Sequence, residues 1–278
     1  MSSVFIDTLQ GKPTSRPPVW FMRQAGRVLP NYIKLREKYS FQQLMSDPEL
    51  AAKVTLMPVY DLGVDAAILF SDILVIPQAL GLEVSFPDSG PVFSNPFCKQ
   101  GGIPSLTFQA SKLDYIYDAI DCINAQKPAG FPLIGFCGGP LTTYLFMAQG
   151  TSANHQFNEA ISLYYNKRQE VKKVLEQITD ASIEYAINQC EHGIATFQIF
   201  ETYGGLLPSS VYLQDVYPHV KRLINAVKSK GVPVIYFPKG LGTGLAHVAD
   251  SGADFVSIDW QVSLSDARKM LPKTIGLQ

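Results

Sequence analysis

Seven short apolar runs punctuate the chain, separated by segments in which apolar positions recur at three- and four-residue steps. The runs are PPVWFM (17–22), DAAILF (65–70), PLIGFC (132–137), ATFQIF (195–200), PVIYFP (233–238), DFVSID (254–259) and TIGLQ (274–278). Such runs, with little polar alternation, fit strands covered on both faces, and strands alternating with helices mark a parallel α/β sheet. Residues 162–189 set Val171, Val174, Leu175, Ile178 and Tyr185 on one stripe, with Lys172, Lys173 and Glu176 opposite. This predicts one long amphipathic helix ending near Gly193. Residues 211–230 carry Val216, Val220, Leu223 and Val227 in helical phase ahead of Gly231 and predict another.

No Gly-, Ser- or Pro-rich linker divides these units, so residues 1–278 read as a single domain, with FPDSGPVFSNPFCKQGGIPS (86–105) as the longest loop-like stretch. A doubly wound dinucleotide-binding sheet predicts a GxGxxG turn after the first strand, and the turn here reads MRQAGRVLP. The expected fold is therefore a (β/α)8 TIM-type barrel. About seven strands are present, and the last is missing from this chain.

The 278 residues are 46% hydrophobic and 17% charged, which excludes disorder and small disulfide scaffolds. With 23 basic against 24 acidic residues the net charge is −1, without the basic excess of a nucleic-acid-binding protein. An anionic ligand must then be met by a local cluster. Cys98, Cys122, Cys137 and Cys190 form no Cys-x-x-Cys pair, and His155, His192, His219 and His247 form no His-x-Cys or His-Glu-x-x-His element. No zinc site of recognised spacing is present. The start MSSVFIDTLQ lacks a basic region followed by an apolar one, and no apolar run approaches the roughly 20 residues of a membrane span. The chain reads as a cytoplasmic protein with reduced thiols.

In a barrel, residues just past the C-terminal ends of strands face the active-site mouth. Those positions are Arg23, Gln24, Gly26 and Arg27 after the first run, Ser71 and Asp72 after the second, then Glu201 and Thr202, Lys239, and Asp259 beside Trp260. The forked donors of Arg23 and Arg27 suit paired carboxylates or phosphates, although a solvated pair or a salt bridge to a neighbouring helix would place them equally well. Asp72, bracketed by Phe70, Ile73 and Leu74, needs a partner: either it caps the next helix or it awaits N–H donors or a developing cation on a ligand. His192 and His219 fall in helix-end contexts. Lys239 with its glycines fits an anion cradle or a loop needing positive φ, and Asp259 fits a backbone acceptor.

FMRQAGR followed by LPNYIKLREKYSF, then FSDIL, GFCGGPLTTYLFMAQG, FQIFETYGG and SIDWQVSLSDARKMLPKTIGLQ, closely resembles the uroporphyrinogen decarboxylase family along the whole chain. The resemblance implies a homodimeric, cofactor-free and metal-free enzyme of porphyrin and haem biosynthesis. Such an enzyme removes the four acetate carboxyls of uroporphyrinogen III as CO2 to give coproporphyrinogen III. It places substrate contacts on Arg23, Gln24, Ala25, Gly26 and Arg27, on Thr202, and on Asp72 as central acceptor for the pyrrole N–H groups. Asp72 and Arg23 are the catalytic candidates. The proton donor is Arg23, a substrate carboxyl or a bound water.

Two departures from the family pattern stand out. Phe146 occupies the substrate-contact position where the family carries Tyr. The family also continues past the terminal Leu277–Gln278 into a Gly-Asn-Leu-Asp-Pro segment and a last strand with an active-site His, so a C-terminally incomplete form is expected. The alternatives are a porphyrinogen-binding relative with impaired catalysis, or a zinc-dependent methyltransferase of the same superfamily. The second predicts a His-x-Cys with a distant Cys, which the sequence lacks.

Overall fold

The computed structural model of the chain describes residues 3–87, 90–151 and 156–278. Asp88 and Ser89 of the loop-like stretch, and His155, lie outside the described residues. Among the described residues the strands are β1 (Ala67–Ile68), β2 (Val84–Ser85), β3 (Val92–Phe93), β4 (Leu133–Gly138), β5 (Thr196–Glu201), β6 (Val234–Pro238), β7 (Phe255–Val256) and β8 (Gly276–Leu277). One sheet runs in the order β1-β4-β5-β6-β7-β8 with every neighbouring pair parallel. The register sets Ala67 beside Leu133, Ile134 beside Thr196, Phe197 beside Val234, Ile235 beside Phe255 and Phe255 beside Gly276.

The strands join in sequence order, each beside its predecessor. A doubly wound sheet reverses direction about its first strand, so this one-way order is that of a (β/α) barrel. The ladder is not closed among the described residues: β1 and β8 are its two edges. Helices fill the crossovers, with Pro140–Gln149, Asn158–Asn166 and Arg168–Glu191 between β4 and β5, and Ser209–Asp215 and Tyr217–Ser229 between β5 and β6. Covered on both faces, β4, β5 and β6 are buried at every position. No helix among the described residues is long and apolar enough to cross a membrane.

Six of the seven apolar runs contain strands of this sheet, and the seventh does not. Residues 17–22 form no ladder, and Val19, Phe21 and Met22 are exposed. Pro17 and Pro18 have no N–H to give, and the Val19 N–H turns to the Asp65 carboxylate at 2.7 Å. A single main-chain bond, from the Asp65 N–H to the Val19 carbonyl at 2.8 Å, ties the segment to the start of β1.

Each helix expected as continuous is broken in two. The first breaks at Lys167 (φ −128°, ψ 40°). Tyr164 from before the break, and Arg168 (Nε, 2.6 Å) and Lys172 (Nζ, 2.9 Å) from after it, all converge on the buried Asp215 carboxylate. Burial alone would raise that carboxyl, but the bonds from Arg168, Tyr164 and Lys172 hold it down to about 2. The second breaks at Val216, where Pro218 fits the first turn of a new helix but cannot continue an old one. Within the loop-like stretch and just before it, β2 and β3 form a short antiparallel hairpin, with Val84 opposite Phe93.

Candidate active site

Past β1 the chain turns sharply at Asp72, whose Oδ1 accepts the Leu74 N–H at 2.9 Å. This Asx-type contact precedes the Val75–Ala79 helix, whose N-cap is Leu74 and carries no side-chain cap, so Asp72 does not itself cap that helix. The residue as a whole is partly exposed. Burial pushes its pKa up to about 6, against the opposing pull of the Leu74 N–H and of the Arg23 charge. On another side stands Tyr115, whose phenol is raised by burial and then by the charge of Asp72. Tyr115 also lines a cavity of about 510 Å³ together with Gln78, Ser85 and Lys112.

The arginine segment is held by the side chain between its two arginines and β1. Gln24 is 2% exposed, donates to the Ala66 carbonyl at 3.0 Å and accepts the Phe21 N–H at 3.2 Å. Its amide is thus committed to the backbone. Ala25 and Gly26 are partly buried, and the Leu29 N–H closes a turn onto the Gly26 carbonyl at 2.9 Å. Arg23 and Arg27 are exposed, and neither forms a salt bridge among the described residues. Of the two alternatives to a ligand role, the salt bridge finds no partner among the described residues, and exposure fits a solvated pair as well as a ligand-ready one. Burial raises the Tyr203 phenol as it does the Asp72 carboxyl, and at both groups the charge of Arg23 opposes that rise.

At the end of β5 the side chains divide. Glu201 points into the protein, fully buried, and accepts from the Leu141 N–H (3.2 Å), the Thr142 N–H (2.7 Å) and the Thr142 hydroxyl (2.6 Å). It therefore satisfies buried N–H donors at the start of the Pro140–Gln149 helix that have no intrahelical partner. Gly139 leaves the room this requires, since a Cβ there would stand 2.5 Å from the carboxylate carbon. Burial pushes Glu201 up to about 7, and its hydrogen bonds with Thr142 and Leu141 oppose that rise. The Thr142 oxygen in turn accepts the Tyr203 N–H at 3.1 Å.

Thr202 and Tyr203 follow, both partly exposed. Phe146, on the helix that Glu201 anchors, presents its ring edge-on to Tyr203 at 5.9 Å and to Phe157 at 5.3 Å, and Phe157 meets Tyr203 at 4.8 Å. Phe157 holds a left-handed backbone (φ 51°), which is uncommon for a residue with a large side chain. Arg23, Asp72, Thr202, Tyr203 and Phe146 thus gather around the C-terminal ends of β1 and β5.

Other sequence candidates are used elsewhere. Asp259 accepts the Gly240 N–H at 2.7 Å and the Gln261 N–H at 2.9 Å, as a loop acceptor does. Lys239 lies over the Trp260 ring at 5.1 Å. His192 bonds Asp121 at 2.9 Å and stacks on Tyr117. Among the described residues no group of three or more His, Cys, Asp or Glu side chains is arranged to hold a metal ion.

Residues 2–278 match the family model described as Uroporphyrinogen decarboxylase (URO-D). The chain belongs to the uroporphyrinogen decarboxylase family. A relative of that name from Geobacter sp. (strain M21) is 40% identical over 273 residues, covering 98% of this chain and 80% of the relative. Another, from Pelobacter propionicus, is 40% identical over 280 residues, covering 100% and 82%. Among solved structures, a methyltransferase from Methanosarcina mazei superposes with a TM-score of 0.77 at 18% identity, over 99% of this chain and 80% of that one. That likeness shows a shared fold.

Thr142 and Tyr203, which the sequence pattern did not single out, link the end of β5 to the Pro140–Gln149 helix. Tyr203 carried a weak signal, being the second residue beyond a strand end in FETYGG. Thr142 carried none, because its role depends on Glu201, which is 59 residues away in the chain.

Proposed function

We propose that the protein is a cofactor-free carboxy-lyase that converts uroporphyrinogen III to coproporphyrinogen III by removing four acetate carboxyls. The observation that carries this is an exposed, unbridged cation, Arg23, whose charge reaches the strand-end carboxylate Asp72, in a chain of this family. An octacarboxylate needs fixed cations at the rim, and Arg23 and Arg27 supply them. Four pyrrole N–H groups need an acceptor between them, and Asp72 supplies it. With a pKa near 6 it is mostly ionised at neutral pH and stabilises a cationic pyrrole.

Each turn of the reaction breaks the bond between an acetate methylene and its carboxyl. A proton on a pyrrole carbon makes the ring an electron sink; CO2 leaves and the bonding pair enters the ring. The methylene carbon then takes up a proton and the ring proton is returned, so the net change replaces carboxyl by hydrogen. Arg23 acts as an anchor, since a guanidinium is a poor proton donor. Thr202 and the edge of Phe146 line the substrate on the β5 side, while Gln24, with its amide committed to the backbone, positions the arginines. The family further supports a homodimer, a cytoplasmic location and a place in haem formation, with residues 1–278 as a single (β/α) barrel domain.

The test is anaerobic incubation with uroporphyrinogen III, without metal or cofactor, followed by oxidation and chromatographic counting of carboxyls. Loss of four is expected. Recovery of the eight-carboxyl porphyrin alone would overturn the assignment.

A further inference from the structure

We infer that Tyr203 is a further substrate-contact residue, its hydroxyl donating to a carboxylate of the bound tetrapyrrole that Arg23 also holds. Three independent features place it there. It lies two residues past the end of β5, beside Thr202, on the mouth side of the barrel. Its backbone is pinned by the bond to Thr142, itself locked by Glu201, so the turn that aims the side chain is over-determined. Its ring is fixed edge-on between Phe146 and Phe157, which leaves a rigid phenol in place of a freely rotating one.

The electrostatics agree with this placement. Burial raises the Tyr203 phenol, and the charge of Arg23 opposes that rise as it does at Asp72, which agrees with the placement by the ring contacts. A phenol O–H beside a guanidinium meets a carboxylate as a second, charge-assisted donor. Phe146, in the same ring cluster, has no hydroxyl, and Tyr203 carries the polar group of that wall.

This inference rests on the decarboxylase reading, and Tyr203→Phe tests the two separately because it keeps the ring contacts and deletes only the hydroxyl. With the thermal midpoint unchanged, kcat/KM for uroporphyrinogen III is expected to fall about tenfold, as for loss of one hydrogen bond to a charged group. The affinity for coproporphyrin, followed by fluorescence titration, should weaken in parallel. If the parent chain is active and the variant stays within about twofold of it in both measurements, the contact is overturned and the function stands. If the parent chain does not turn over uroporphyrinogen, the functional reading falls, and the titration decides Tyr203 alone: weaker binding by the variant upholds the contact, and equal or absent binding overturns it.

Discussion

Thr142 and Glu201 are joined twice, the buried carboxylate accepting the Thr142 amide at 2.7 Å and its hydroxyl at 2.6 Å. Through this pair the end of β5 is fastened to the start of the next helix inward, and the same hydroxyl oxygen receives the Tyr203 N–H. A carboxylate at a strand end, singled out for chemistry, is thus a buried brace, while its two successors are partly exposed.

That brace should be visible in the pH dependence of stability. The folded-state pKa of Glu201 is about 7 against an ordinary 4.5, so between those values the native protein retains a proton that the unfolded chain has lost. This group therefore makes the protein less stable as pH rises through that window, by up to about 1.4 kcal/mol per pH unit. Thermal unfolding at pH 5, 6 and 7 should show a downward slope in the parent and a flatter one in Glu201→Gln. Parallel slopes would mean that Glu201 is ionised throughout.

Asp72→Asn should fold with a near-parental midpoint yet lose at least about a hundredfold in kcat, because an amide cannot supply the charge that stabilises a cationic pyrrole. In the parent protein activity should fall as pH drops through about 6, where Asp72 takes up its proton. A kcat/KM profile measured from pH 5 to 8 checks this, and a flat profile there would remove Asp72 from the reaction.

Arg23→Ala and Arg27→Ala should differ in kind. Removing Arg23 takes away a charge that lowers the Asp72 pKa, so the acidic limb of the profile should move to higher pH as substrate affinity falls. Arg27, with no comparable coupling, should raise KM several-fold and leave the limb in place. Identical limbs in both variants would show that Arg23 does not act on Asp72 during turnover.

Gln24→Leu removes both hydrogen bonds that fasten the arginine segment, to the Ala66 carbonyl and from the Phe21 N–H. A loss of about 1–3 kcal/mol in unfolding free energy is expected from denaturant titration, together with a raised KM. An unaltered KM alongside reduced stability would confine Gln24 to the scaffold.

Much of the fold was legible in the residues alone. Strands β4, β5 and β6 coincide with PLIGFC, ATFQIF and PVIYFP because a strand covered on both faces has no polar side to interrupt its run. The same reasoning misread PPVWFM, since an apolar run records burial preference and not the partner that a ladder needs; two prolines and a side-chain acceptor at Asp65 left it unpaired. Helical phase likewise persisted across Lys167 and Val216, where Asp215 and Pro218 divide the helices. The hairpin of β2 and β3 escaped notice because two-residue strands are too short for any period to show.

For the site, the sequence showed which charged groups follow apolar runs: Arg23, Arg27 and Asp72 were conspicuous for that reason, although only the run before Asp72 became a strand. Only the tertiary structure decided which way each neighbour turns. Gln24 was read as a contact and is buried against β1; Glu201 stood at the same kind of strand end as Asp72 and points away; Tyr203, unremarked in sequence, stands beside Arg23's field. Periodicity along a strand stops at its last hydrogen bond. Beyond it, direction is set by contacts such as Thr142 with Glu201, made between residues 59 apart in the chain, and no local pattern encodes them.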